Sequence, residues 1–304
     1  MRHWYDLLRA TAILALAFTR AAWYFKTRAL RDLALPDTGS LSSREKRRWQ
    51  HYFYGTTYLN ILFCSWRGYS RSRREKHLFS NLAALAYFFD DLVDSFRGKG
   101  DSGVLWRDNP EEYGHTADSS GLALHFLHNI YRELPPGDLE EFRGFMHRVF
   151  NVETAGRQQA GPKENTPGSR DLEKITAEKG GCSVLLFRRA LAHPLPADEQ
   201  NAWFQFGFLI QLCDDIFDLW HDRQAGTSTL ATCHAGQNDV KGLCEIFENQ
   251  VVVVREAFRH ANPDSSSDGR RDTARTVPKG ASPLPSGPGV GLACIHFLVC
   301  ITRV

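Results

Sequence analysis

Apolar residues return at every third or fourth position through most of residues 1–261 and almost nowhere at every second position. That period buries one stripe of a helix and gives a strand no apolar face, so it constrains the chain to an all-α fold. Tyr5 to Leu33 reads as one or two helices, stopped by Pro36 and the turn Asp37-Thr38-Gly39-Ser40. Ser42 and Ser43 are of the type that caps the next, which runs to about Trp66. A basic stretch, Arg67 to Lys76, leads into a strongly apolar helix from His77 to about Phe96. Further helices are predicted over Leu122 to Leu134, from an Asp138 cap through Phe150, over Asp171 to His193, over Ala197 to about Arg223 and over Asn238 to His260. Residues 156–169 form a polar loop long enough to act as a flap. No internal repeat is visible.

Composition narrows the function. Thirty-seven Lys and Arg against 35 Asp and Glu give a formal charge of +2, so no global basic excess points to nucleic acid. Seven cysteines without a CxxC pair support neither a disulfide framework nor a structural zinc site, and a reducing cytoplasm is the expected compartment. The apolar run Ala10 to Phe18 falls far short of the ~20 residues that span a bilayer, and the aromatic Trp23, Tyr24 and Phe25 follow it without a clean cleavage site. It reads as an opening core helix rather than a signal peptide. Residues 262–304 are rich in Ser, Gly, Pro and Arg up to a short apolar end, the composition of disorder. Two readings of that tail stay open: a flexible extension, or an altered end standing where helices would be. The expected organisation is one all-helical domain over 1–261 followed by this tail.

The chemistry is concentrated in two acidic clusters inside apolar helices. Asp90, Asp91 and Asp94 stand in LAALAYFFDDLVDSF, and Asp214, Asp215, Asp218 and Asp222 in FQFGFLIQLCDDIFDLWHD. Carboxylates four residues apart share a helix face about one turn apart, so Asp214, Asp218 and Asp222 make a single stripe with Gln211 a turn above it. Like charges held together among aromatic side chains destabilise one another unless a cation neutralises them. Mg²⁺ suits the purpose, since it takes carboxylate oxygen and keeps water and phosphate oxygens as its remaining ligands. One such cluster alone is often a solvated acidic face; two of them, each in an aromatic helix, point to a metal cage for a diphosphate.

DDLVD at 90–94 together with the second Asp-rich helix resembles the class I isoprenoid synthases, over roughly residues 45 to 260. That superfamily includes terpene cyclases, trans-prenyl diphosphate synthases, and squalene and phytoene synthases. The resemblance implies an all-α bundle around a central apolar cavity with the two Asp-rich helices facing at its mouth. It also implies about three Mg²⁺ ions, with Asp90, Asp91 and Asp94 binding two and Asp214, Asp218 and Asp222 the third, Asp215 beside them being a further candidate metal ligand. FLIQLCDDIFD is similar to the FQxxDDxxD of prenyl synthases, but the basic segment those enzymes use for isopentenyl diphosphate is not seen upstream of Asp90, and their arginine pair is reduced to Arg97 and Lys99. The spacing of Asp214, Asp218 and Asp222 matches the second metal motif of bacterial cyclases, though the ligand types differ. Gln211-Leu212, Asp218, Asp222, Gly226 and Leu230 follow the order of a squalene or phytoene synthase motif.

Lys179-Gly180-Gly181 falls inside a helical run, where two glycines cost about 1 kcal/mol each and signal a break or a close approach. The resemblance implies a helix break at this place and carries Lys179 over as a diphosphate ligand; Gln211, Arg223 and Arg97 are further candidates for the diphosphate. Tyr87, Phe88 and Phe208 are candidate cavity-lining aromatics, with Phe53, Tyr58, Phe89, Trp203, Phe204 and Trp220 beside them. Aromatic faces stabilise cations. His125 and His128, three apart with no partnering Glu or Cys nearby, read as core or surface.

The expected activity is ionisation of a C10–C20 allylic prenyl diphosphate, with cyclisation ranked slightly above chain elongation and head-to-head coupling. Asp90, Asp91, Asp94, Asp214 and Asp218 are the expected catalytic residues. The rival of another class is a non-catalytic helical partner subunit or membrane-surface binder. A homodimer, and peripheral membrane association through an apolar product or the N-terminal helix, go with the first reading; nucleic acid does not.

Overall fold

The computed structural model describes residues 15–16, 18–29, 42–67, 72–95, 119–158, 168–191 and 193–261. These described residues are helical with no strand among them, as the period requires. Residues 18–24 run into a π-helical turn, Phe25–Ala29. The α-helices beyond it are α1 (Ser43–Arg67), α2 (Arg73–Ser95), α3 (Ser119–Glu133), α4 (Pro136–Gln158), α5 (Ser169–Arg189), α6 (Ala197–Phe217), α7 (Leu219–Ala225), α8 (Leu230–Gly236) and α9 (Val240–His260). Among the described residues no helix is long and apolar enough to cross a membrane.

Several boundaries differ from the sequence expectation for local reasons. Helix α2 begins four residues before His77, within the basic stretch. Ser72 and Glu75 cap it reciprocally: the Ser72 N–H donates to Glu75 Oε2 at 2.7 Å, and the Glu75 N–H to Ser72 Oγ at 3.1 Å. Helix α4 starts at Pro136, whose fixed φ suits the first helical position, so Asp138 lies in the first turn rather than capping it. The helix expected over Ala197 to Arg223 is divided at Asp218 into α6 and α7. Helix α8, not foreseen, is held by a box between Thr229 and Thr232.

The described residues divide into two compact units. The first takes the described residues up to Glu140 with Ala190 and Leu191; the second takes 141–189 and 193–261. In the first unit α2 packs on α1 and α3 around an aromatic centre. Phe88 stacks on Phe126 at 5.9 Å and 12°, and Trp49 meets both, at 6.3 and 6.0 Å. Buried Asn81 is tied by the Asn129 side chain, which donates to its Oδ1 at 3.4 Å; Asn129 also meets His125 Nε2 at 3.1 Å. His125 is thus bound up in packing, as the sequence suggested.

In the second unit α6 lies between α5 and α9. A cluster of Leu172, Phe208, Leu212, Leu230, Ala231 and Leu243 joins α5, α6, α8 and α9. Beyond it, Trp203, Phe206 and Phe258 pack edge to face. A buried ion pair closes the α5–α6 turn. Arg188 Nε donates to Glu199 Oε1 at 2.7 Å, its other nitrogens to the His193 and Pro194 carbonyls, and Trp203 Nε1 shares the same carboxylate oxygen.

Candidate functional site

The second acidic cluster is built on α5, α6 and α7, and the way α5 meets α6 decides its spacing. Helix α5 runs unbroken through Gly180 and Gly181, so of the two alternatives the glycines signal, the close approach is the one present. A Cβ on Gly180 would enter the carbonyl oxygen of Gly207 and stand 2.7 Å from Gln211 Cβ. One on Gly207 would stand 2.8 Å from Gly181 Cα, and Gly181 itself is covered by the Phe204 ring. Backbone meets backbone here, and no side-chain layer separates the helices.

That contact sets Lys179 and Thr176 of α5 against the acidic turns of α6. Gln211 Nε2 donates to Asp215 Oδ1 at 2.9 Å and to Asp214 Oδ2 at 3.3 Å, while Thr176 Oγ1 donates to Asp215 Oδ2 at 3.1 Å. Asp215 is 7% exposed and turned inward, with both oxygens engaged. Desolvation pushes its carboxyl up to about 6, against the hydrogen bonds from Gln211 and Thr176 and the Lys179 charge.

Asp214 and Asp218 face solvent and Asp222 is half-buried. Although α6 ends at Phe217, the Asp218 N–H still reaches the Asp214 carbonyl at 2.8 Å and the Asp222 N–H the Asp218 carbonyl at 2.9 Å. The four-residue spacing of the stripe therefore survives the division of the helix. Desolvation first, then the Asp218 charge, raises the Asp214 carboxyl; Lys179 and Gln211 pull it down. Asp222 is raised by desolvation and by the charges of Asp218 and Asp214, with Lys179 and Thr229 opposing. Three carboxylates are thus close enough to act on one another, with Lys179 close enough to act on Asp214, Asp215 and Asp222. Phe217 and Trp220, 67% and 68% exposed, flank Asp218 on either side.

Sequence reasoning missed Glu153 of α4, whose Oε1 lies 3.1 Å from Lys179 Nζ. Its signal is a glutamate on an apolar face, one and two turns after buried Met146, Val149 and Phe150, with its side chain only 14% exposed. Thr176 was missed likewise; its one hint is that it stands three residues before Lys179, on the same helix face.

The first cluster lies in the last turns of α2, in the other unit, and the side chains of Asp90, Asp91 and Asp94 lie outside the described residues. So do Arg97 and Lys99. Arg223 is exposed in the last turn of α7. Tyr87 and Phe88 are buried in the aromatic centre of the first unit, and Phe208 in the apolar cluster of the second. Trp220 stands outward rather than in a core.

Among the described residues no group of three His, Cys, Asp or Glu side chains converges closely enough to hold a metal ion by itself. The donor chemistry of Asp214, Asp218 and Asp222 nevertheless fits Mg²⁺, which is usually held by one or two carboxylates together with substrate phosphates. Fold and site together define an all-α protein with an acidic, lysine-flanked helix junction. No family model, curated protein or solved structure matches the chain.

Proposed function

We propose that the chain is a Mg²⁺-dependent isoprenoid synthase that ionises an allylic prenyl diphosphate of C10–C20 and releases pyrophosphate. The observation that supports this reading is the Asp214, Asp218, Asp222 stripe, in which desolvation and then neighbouring like charge raise Asp214 and Asp222 while Lys179 stands beside them. Such an arrangement is electrostatically unfavourable when empty of cations and favourable when it holds a metal–diphosphate. The fold that goes with it is an isoprenoid synthase bundle around a central apolar cavity. Asp90, Asp91 and Asp94 would bind metal as well, with about three ions in all.

Bound Mg²⁺ supplies Lewis-acid withdrawal of charge from the leaving diphosphate. The protein residues do the rest. Asp214, Asp218 and Asp222 would hold metal; Lys179, already drawn toward carboxylates, would bind a diphosphate oxygen, with Arg223 and Arg97 as further cations. Gln211 orients Asp214 and Asp215 through its amide. Asp215, bonded to Thr176 and Gln211, is assigned to positioning rather than to the metal. The allylic cation would be stabilised by aromatic faces and by exclusion of water, with no protein nucleophile. Cyclisation is favoured over elongation because the second-substrate segment is missing, and peripheral membrane association fits an apolar product.

The test is incubation with Mg²⁺ and C10, C15 or C20 allylic diphosphate, each with and without isopentenyl diphosphate, assaying pyrophosphate and organic product. Pyrophosphate and a hydrocarbon or alcohol from one substrate alone are expected, and Asp90→Ala, Asp214→Ala and Asp218→Ala should each lower turnover by about a hundredfold or more while the helical circular dichroism persists. A longer diphosphate formed only with isopentenyl diphosphate would reassign the chain as an elongase. No pyrophosphate from any substrate would leave a non-catalytic helical protein as the reading.

A further inference from the structure

The first unit contains a second feature that the acidic motifs do not explain. A cavity of about 1300 Å³ opens among the N-terminal helical residues, α1 and the beginning of α2. It lies at the opposite end of α2 from Asp90: thirteen residues separate His77 on its lining from that aspartate, about 20 Å of helix.

Its walls divide by chemistry. Phe53 and Phe79, both buried, with Tyr24 and the exposed Trp23 form an aromatic side. Tyr24 stacks on Phe53 at 5.9 Å and 20°. Arg20, Arg73, Arg74 and Lys76 bring four cations to the lining. Glu133 is the one carboxylate among the described lining residues, and it is engaged by His77 at its side chain and by Arg74 at its carbonyl. Among the described residues Arg20, Arg73 and Lys76 have no carboxylate partner. The cavity is therefore cationic, although the whole chain carries only +2.

A third observation is independent of charge. Asn60 lies on the lining, wholly buried; its Oδ1 receives only the Cys64 thiol, at 3.6 Å, and its Nδ2 has no partner among the described residues. An amide donor left unsatisfied in this way costs about 1–3 kcal/mol. Four cations beside an aromatic wall suit a ligand with an anionic end and an apolar one.

We propose that this cavity binds a single-chain amphiphile with a phosphate head, its tail on the aromatic wall and its head at Arg73, Lys76 and Arg20. Phosphate is chosen over carboxylate because two or more guanidinium forks can each give it paired N–H donors. The volume exceeds the ~300–1,000 Å³ of small-molecule sites, which leaves room for a chain as well as a head group. This site is separate from the acidic junction and needs no metal.

Dodecyl phosphate, below its micelle concentration and in EDTA, is the probe, followed by calorimetry on the full chain. Saturable binding in the micromolar range is expected, weakened about tenfold or more in the Arg73→Glu/Lys76→Glu double variant and unchanged in Asp218→Ala. Both reversed residues are exposed, so circular dichroism should match the parent, and Arg73→Lys/Lys76→Arg should restore most of the affinity. Dodecanol, inorganic phosphate and dodecanoate should each bind at least about tenfold more weakly. No saturation, equal binding of any of these three, or indifference to the charge reversal would overturn the proposal. Vesicles containing phosphatidic acid distinguish the source. Sedimentation with them, lost in the charge-reversed variant, assigns the head group to a membrane; probe binding without sedimentation assigns it to a free amphiphile. Because the assay excludes metal, a failure here is distinct from a failure of pyrophosphate release.

Discussion

Asp215 separates what is legible in the sequence from what is not. The DDxxD spelling places it beside Asp214 as an equal, yet folding turns it inward onto Thr176 and Gln211 while Asp214 stays at the surface. Residue type and spacing could nominate Asp214, Asp218, Asp222 and Gln211, and the family resemblance Lys179; which way each carboxylate turns depends on packing that no local pattern records. The raised Asp215 carboxyl has a measurable result. Its ordinary value is 3.8 and its folded value about 6, so the folded state holds the extra proton and stability from this group falls as pH rises between them. Asp215→Asn keeps the bond that Oδ1 accepts from Gln211, can replace the other with Nδ2 donating to Thr176 Oγ1, and removes that loss. Denaturant unfolding in EDTA should find the variant no less stable at pH 4 and more stable at pH 7, by up to roughly 3 kcal/mol, with the gap levelling above the folded value. A variant less stable at pH 7 would refute burial as the dominant cause.

Helices are legible in their period, and their ends in capping chemistry where that chemistry is local. The start of α1 at Ser43 and the extent of α9 follow closely. The seven residues of α8 are too few to show a period, and the division at Asp218 has neither glycine nor proline to announce it. Gly180 and Gly181 were legible as unusual but ambiguous, since a break and a close approach use the same residue; Gly207, on the opposite helix, resolves it. Gly207→Ala should cost about 3 kcal/mol or more by overpacking, as a lower denaturation midpoint with an unchanged m-value. Gly144→Ala, where a Cβ meets nothing within 4 Å, is the matched control and should be neutral or slightly stabilising.

At the scale of the whole molecule, a nearly neutral chain carries an acidic junction in one unit and a cationic cavity in the other. The cavity is not visible in the sequence because Arg73 and Lys76 read as a basic lead-in to a helix, and of their aromatic neighbours Trp23, Tyr24 and Phe53 come from elements earlier in the chain. Mg²⁺ with pyrophosphate should raise the melting temperature. At a hundred times the dissociation constant the stabilisation is about 2.7 kcal/mol, a rise of about 5 °C. The rise should vanish in Asp214→Ala/Asp218→Ala, persist in Arg73→Glu/Lys76→Glu, and be absent with Mg²⁺ removed. The α5–α6 crossing adds a consequence for variation. A helix pair separated by leucines can be shimmed, because any change of side-chain size resets the gap. Where peptide meets peptide there is nothing to shim, and the reach from Lys179 to the aspartates is fixed by the backbone alone. In a library of second-unit variants selected for pyrophosphate release, the leucines of the cluster should drift freely among apolar types while Gly180 and Gly207 stay fixed.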